Sequence, residues 1–405
     1  MTAPWPLVPL RKVVGSLSAG VSVNSVNEAV QSDTEIGVLK VSCVSRGRFL
    51  PNENKKVVSH EISRVAESPK AGDIIISRAN TFDLVGASGY VDQDHPNLFL
   101  SDKLWRLRLA QPTHDSPRWL IAFLNSDRMR RDLYRRATGT SGSMKNISKE
   151  SLLAIEIARP PADVQALLGD VFAHFEALDR TLEELLAAKR TFKRGLMQQL
   201  LTGESRFPGS RQNKWRTATV GEIVVSTRRK VPKPRSAFLS AGVRSHGKGV
   251  FLKEQFQPEG IALDELFELR ARDLVVNITF GWEGALAIVP LAADGALVSH
   301  RFPTFEIDET KVLVDYMRHI IRTRRFVFAV GVASPGGAGR NRVLNTQAFF
   351  DIPLRLPSLD EQHRIAELLN ALDREIDLIS AQRKQTDAYK RGLLSRILAG
   401  EIVVP

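Results

Sequence analysis

One cysteine, Cys43, stands in a chain of 405 residues. A disulfide framework and a cysteine-based zinc site are therefore excluded, and a reducing cytoplasm suits the chain. Long apolar runs are missing too. No stretch approaches the roughly 18 apolar residues that suggest a membrane span. The opening MTAPWPLVPLRKVV has no charged segment leading into an apolar core, so it does not read as a signal peptide. Catalytic signatures are equally scarce. Neither glycine-rich loop fits GxxxxGKS/T, no GxGxxG follows a strand, and neither HExxH nor GxSxG occurs. The Asn/Asp-Pro-Pro-aromatic box of amino-methyltransferases is absent as well. The eight histidines show no metal-ligand spacing, so no metal site is expected. Glu53-Asn54-Lys55 and Glu309-Thr310-Lys311 match the E-x-K half of a nuclease site, a tripeptide short enough to arise by chance.

Positive charge is present in excess, and it is unevenly placed. The net charge is +12. Residues 1–160 carry +6 and residues 211–356 carry +8, whereas 161–210 and 357–405 carry −1 each. Two large basic segments thus alternate with two short, nearly neutral ones. A polyanionic partner fits this pattern, as does a merely solvated basic surface.

The alternation has a repeat beneath it. KRGLMQQLLTGE at 193–204 returns as KRGLLSRILAGE at 390–401, 197 residues later, with seven of twelve positions identical. Pro160 and Pro357 share that offset, as do Gln165 and Gln362. Upstream, AGDIII (71–76) resembles ARDLVV (271–276), SDKLWRL (101–107) resembles SHRFPTF (299–305), and Trp5 opens one copy as Trp215 opens the other. Two long copies imply a pseudo-two-fold molecule, not a solenoid.

Each large segment reads as mixed α/β (α+β). DIIISR and DLVVNITF have the β-branched content of buried strands. Residues 117–137 read as one helix and 314–330 as its counterpart; each is followed by a glycine- and serine-rich loop, a short apolar strand and a proline. Then come the long helices. In the first, Val164, Leu168, Val171, Phe175, Leu178, Leu182, Leu185, Phe192 and Leu196 alternate spacings of four and three, with Lys189 in one slot. In the second the set is Ile365, Leu369, Leu372, Ile376, Ile379, Leu393 and Ile397, with Arg383, Thr386 and Lys390 in its middle slots. These are heptad seams, which predict a coiled coil. A glycine follows each last turn, as a left-handed cap requires.

This organisation resembles the specificity (S) subunits of type I restriction–modification systems along essentially the whole chain. The motif LPSLDEQHRIAELLNALDREIDLISAQRKQTDAYKRGLLSRILAGE (356–401) carries the resemblance best; the first copy departs from it, with Asp163-Val164-Gln165 where the second has Asp360-Glu361-Gln362. The resemblance implies target-recognition domains at 1–160 and 211–356, helical spacers at 161–204 and 357–401, and two long antiparallel helices between the domains. It implies a non-catalytic subunit in a bacterial or archaeal cytoplasm that reads a bipartite site in double-stranded DNA, one half-site per domain. Two modification subunits would dock on the helices, carry S-adenosylmethionine and methylate adenine. Restriction subunits would add ATP- and magnesium-dependent cleavage in systems that have them. No cofactor is expected on this chain. The alternatives are a single-chain DNA methyltransferase or nuclease, which the missing motifs disfavour, and a coiled-coil scaffold for another polyanion.

Base edges call for forked groups, and phosphates call for cations, hydroxyls and amides. In the first domain the candidates are Arg46, Arg48, Arg78, Asn80, Lys103 and Arg106, then Thr140, Ser141, Ser143, Lys145 and Asn146. In the second they are Arg244, His246, Lys248, Asn277, Thr279, His300, Arg301, Arg340, Asn341 and Arg342. The arginine-rich runs at 128–136 and 322–325 either solvate helix faces or touch DNA. Phe82 and Trp282 read as core.

Overall fold

The computed structural model describes residues 5–45, 47–81, 84–139, 144–336, 342–399 and 401–402. They form a mixed α/β fold that divides into two compact units: Met1–Glu184 with Ser380–Pro405, and Leu185–Ile379. Each unit takes one α/β segment and a piece of both long helices, Ala162–Thr202 and Leu359–Leu398.

The two units repeat one scaffold. In the first, the sheet order is Val14–Ala19, Leu104–Leu109, Ile74–Ser77, Ser88–Tyr90, Gly47–Phe49, Val44–Ser45. In the second it is Val224–Thr227, Thr304–Ile307, Leu274–Val276, Leu286–Ile288. The register matches: Leu107 pairs with Ile74 as Phe305 pairs with Leu274, and Ser88 with Ile76 as Leu286 with Val276. Every residue of Ile74–Ser77 and of Leu274–Val276 is buried. That double-sided burial is why these strands read as unbroken apolar runs rather than as alternating ones.

The helices predicted over 117–137 and 314–330 are each two. Pro117–Leu124 stops before Asp127–Arg136, and Val314–Ile320 before Arg324–Val332. The cause is local. The Ser126 hydroxyl accepts from the Met129 N–H at 3.2 Å and the Thr323 hydroxyl from the Phe326 N–H at 3.2 Å. Each is an N-cap that starts a new helix instead of continuing the old one.

The glutamines found by the repeat perform one task twice. The Gln165 Oε1 accepts from the Ser116 N–H at 3.0 Å, and its Nε2 donates to the Pro160 carbonyl at 2.9 Å. The Gln362 Oε1 accepts from the Leu313 N–H at 2.8 Å, and its Nε2 donates to the Pro357 carbonyl at 3.0 Å. Ser116 and Leu313 are themselves 197 residues apart. Each glutamine fixes the first turn of a long helix to its own domain.

The repeated helix ends are core elements. Leu200 and Leu201 are buried in the cluster built around Val220, Leu274, Tyr316 and Phe349, with Leu196 and Met197 packed against it. Their equivalents Ile397 and Leu398 join Leu10, Ile74, Trp119 and Ile157 in the first unit, with Leu394 buried and Leu393 packed alongside. Each KRGL end therefore completes the core of a domain other than the one that precedes it in sequence.

Within each unit the helix pieces run antiparallel. In the first, Glu176 meets Lys390 at 3.1 Å, and Asp179 and Glu183 meet Arg383 at 2.6 and 3.4 Å. In the second, Lys189 meets Glu375 at 2.6 Å and Lys193 meets Asp373. On the second helix Ile365, Leu369, Leu372 and Ile397 are buried, and Ile376, Ile379 and Leu393 are half-buried. The first helix departs from the expected seam. Val164, Leu168 and Leu182 are buried and Phe175 half-buried, and Leu196 is half-buried against the core. But Leu178, Leu185 and Phe192 are exposed. The inward stripe runs instead through buried Phe172, Leu186 and Lys193 and half-buried Asp179, one residue further on. Two heptad phases share every other position, and here charged residues with partners on the other helix occupy slots that an apolar count passes over. We expect Leu186→Ala to cost the second unit about 2–3 kcal/mol, and Leu185→Ala less than about 0.5 kcal/mol. Urea titration of both variants checks this; equal losses would restore the apolar phase.

A buried histidine adds a pH dependence. His319 is fully buried, and its Nε2 lies 2.8 Å from the Asn370 Oδ1 of the second long helix. Desolvation pushes its pKa down to about 4; Lys193 and Arg322 act in the same direction, and Asn370 and Asp373 oppose them. The unfolded chain takes up this proton near pH 6.5, and the folded unit resists to about pH 4. Its contribution is whole above about pH 6.5 and falls with pH below that, by about 3 kcal/mol at pH 4. Denaturant midpoints of the wild type and His319→Gln, compared at pH 7 and pH 4.5, should converge at the lower pH. A constant difference would refute this assignment.

Candidate nucleic-acid interface

Three of the four segments singled out in the second domain are tied to the fourth, a single turn. The His246 N–H donates to the Glu283 carbonyl at 2.8 Å, and the Gly247 N–H to the Gly284 carbonyl at 3.0 Å. The Ile278 N–H donates to the Arg301 carbonyl at 3.0 Å, and the Leu344 N–H to the Ile278 carbonyl at 2.9 Å. Residues 277–284 thus gather the loops that carry Arg244, His246 and Lys248, His300 and Arg301, and Arg342. The first unit repeats the device: the Arg78 N–H donates to the Lys103 carbonyl at 3.0 Å, and the Ile147 N–H to the Arg78 carbonyl at 2.9 Å.

Beside the 277–284 turn lies an open cleft of about 900 Å³, lined by His246, Trp282, Arg322, Arg324, Phe328 and Arg342 among others. The Arg342 guanidinium stacks 5.5 Å from the Trp282 ring centroid, and the Trp282 Nε1 donates to the Thr279 carbonyl at 3.1 Å. Trp282 is thus half-buried, and one side of it serves as a platform for an arginine. Glu283 is the one acidic residue among the described residues of the lining, and its carboxylate accepts from the Ser245 hydroxyl at 2.8 Å. Cationic and planar groups of this kind fit phosphates and base edges.

The candidates divide by what they touch. His246, Lys248, Lys103, His300 and Arg301 are exposed. Arg244 is exposed over the Phe251 ring at 4.9 Å, and Arg78 lies 5.9 Å from the Trp105 ring centroid. Lys145 donates to the Gly139 carbonyl at 2.8 Å, and Asn146 pairs with Thr138 and Ala79. Thr279 is half-buried. Others are taken up by the fold. Arg48 meets Glu183 at 2.5 Å and Asp179 at 3.7 Å on the first long helix. Its neighbour Gly47 has φ +89°, and a Cβ there would lie 2.9 Å from the Glu176 carboxylate, so this strand needs glycine to press against the helix. Arg106 binds Glu67 at 2.5 Å and the Ser68 carbonyl at 2.8 Å. Asn80 and Asn277 are buried in turns that their own side chains close, on the Thr81 and Thr279 N–H groups at 2.8 and 3.1 Å. A sequence shows that an arginine is present and not that a carboxylate from a distant element waits for it. Arg46, Phe82, Thr140, Ser141, Ser143, Arg340 and Asn341 lie outside the described residues.

Arg322, Arg324 and Phe328 were not resolved as site residues by sequence. The cap at Thr323 is the signal: a helix that starts there buries Phe326 and Val330 and turns Arg324, Phe328 and Val332 outward. Among the described residues no group of three metal-ligating side chains comes together, and no helix is long and apolar enough to cross a membrane.

Residues 277–386 match the family model described as the type I restriction modification DNA specificity domain. The chain is 27% identical over 188 residues to the EcoEI specificity subunit of Escherichia coli, an alignment covering 46% of this chain and about a third (32%) of that relative. It is 20% identical over 385 residues to the MjaVIII specificity subunit of Methanocaldococcus jannaschii, covering 88% and 83% of the two chains. In fold it is similar to the S subunit of a type I system from M. genitalium, with a TM-score of 0.64 at 13% identity over 98% of this chain and 96% of that one. A chain solved in a study of complex assembly in the type I system gives 0.54 at 15% identity, covering 99% and 100%. With the doubled helix ends and the twice-built scaffold, these likenesses make the chain similar to the specificity subunits of type I restriction–modification systems, in sequence over part of its length and in fold over nearly all of it.

Proposed function

We propose that this chain reads a bipartite DNA site, one half-site by each α/β segment, and catalyses nothing itself. The convergence of three loops on the turn at 277–284, beside an arginine-lined cleft, is the observation that carries the reading. The family binds DNA and assembles with other restriction–modification subunits. Here the partners are two modification subunits that hold S-adenosylmethionine and methylate adenine, joined by restriction subunits where the host has them, in the cytoplasm. Each unit offers them exposed apolar side chains on its long helices: Leu167 and Leu178 in the first, Leu185, Phe192 and Leu378 in the second. The helices, 41 and 40 residues or about 60 Å long, set the unspecified gap between half-sites.

The test is adenine methylation mapped genome-wide, with and without this gene, in cells that hold the modification subunit. Methylation at one split, non-palindromic site should appear only with both genes. Methyl transfer by the purified chain alone, or a methylome indifferent to its loss, would refute the proposal.

A further inference from the structure

The helix Arg324–Val332 buries Phe326 and Val330 and points Phe328 and Val332 outward at 74% and 69% exposure. Two apolar side chains so bare are out of place on a basic surface. They line the cleft together with Arg322, Arg324 and Arg342, and Gly331 lies between them with nothing within 4 Å of where a Cβ would stand. The duplication sharpens the question. At the offset of 197, the inward positions stay apolar in both copies, Met129 with Phe326 and Leu133 with Val330. The outward positions change character: Arg131 and Arg135 in the first copy, Phe328 and Val332 in the second. The same helix on the same scaffold differs where it faces away from the core.

We infer that Phe328 and Val332 are specificity-determining residues that read thymine, through its 5-methyl group, in the half-site held by the second unit. The inference rests on the DNA-reading proposal above. Duplex DNA is the occupant because charge demands it: Arg322, Arg324, Arg342 and His246 line the cleft with the exposed pair, Arg325 and Lys248 are exposed on the segments that carry Arg324 and His246, and the one acidic residue among the described residues of the lining is already bonded to Ser245. The arginines supply phosphate contacts, which position without specifying. In the major groove the thymine methyl is the apolar feature, and phenylalanine is among the side chains suited to it. A protein partner for this face would bring acidic side chains to the arginines and an apolar surface to two residues; DNA supplies phosphates and thymine methyl groups side by side. Arginine at the equivalent positions of the first copy suits guanine, so two unlike half-sites follow from one fold.

The full chain, assembled with its modification subunit, first selects its duplex from a randomised library. Each thymine of the second half-site is then replaced singly by deoxyuridine, which removes only the methyl group. Wild-type affinity should fall about fourfold at one or two positions, the worth of one methyl-sized group buried. Phe328→Ala should bind the thymine duplex correspondingly weakly and lose the deoxyuridine effect at its position, while Phe328→Leu retains it. Deoxyuridine without effect on the wild type, a second half-site lacking thymine, or an effect that survives in both Phe328→Ala and Val332→Ala overturns the inference and leaves the DNA reading standing. Selection of no duplex by the assembled chain overturns both.

Discussion

Replacing residues 211–356 by the matching segment of another specificity subunit should exchange one half-site and leave the other unchanged. The structural ground is that both scaffolds are complete: each unit has its own sheet, its own core and its own ring of tied loops. The graft must respect one constraint. The core of the second unit includes Leu200, Leu201, Ile365, Ala366 and Leu369 from the long helices, packed with Val220, Val312, Leu354 and Leu356. An incoming segment has to present apolar groups of similar volume at those places, and a backbone N–H for Gln362 to meet. Each mismatched base pair costs about 1–3 kcal/mol, so three altered pairs change preference for the old half-site by about a hundredfold or more. Methylome mapping in cells that express the chimera reads this directly. If both half-sites change together, the units are not independent readers.

A comparably large loss is expected from Glu361→Ala, in stability. Glu361 has no exposed surface. Its carboxylate accepts from the Arg206 guanidinium at 3.0 and 2.6 Å and from the Trp215 Nε1 at 3.2 Å. Arg206 also donates to the Ser210 carbonyl, so this one buried group ties the segment after the first long helix to the start of the second. Truncation leaves the partly buried Arg206 guanidinium and the Trp215 N–H without their shared acceptor, a loss well beyond that of an exposed substitution. Replacing both charged partners tells another story, since well-packed apolar groups often substitute for a buried pair at little cost. The first copy has made that exchange already: its equivalent of Glu361 is Val164, also buried. Glu361→Val combined with Arg206→Met should therefore recover most of the lost stability. Thermal unfolding of the single and double variants decides it; a double variant no better than Glu361→Ala would mean that the charges specify the local fold.

The amino-acid sequence by itself determined the duplication, the fold class, the two long helices and the family resemblance. Each rests on a periodic or repeated signal that the chain states locally: an apolar strand core, a heptad, a motif written twice. It also picked the loops that meet at 277–284, because strand ends and glycine-rich turns are legible from residue type. Tertiary structure alone decided which phase of the first heptad is buried, since Asp179 and Lys193 become seam residues only opposite Arg383 and Asp373. It decided that Arg48 and Arg106 are held within the fold, and that each repeated helix end seals the core of the other domain. It turned Phe328 and Val332 outward. In each case the outcome depends on a partner far away in sequence, and hydrophobic and ionic contacts are made by proximity, which only folding confers.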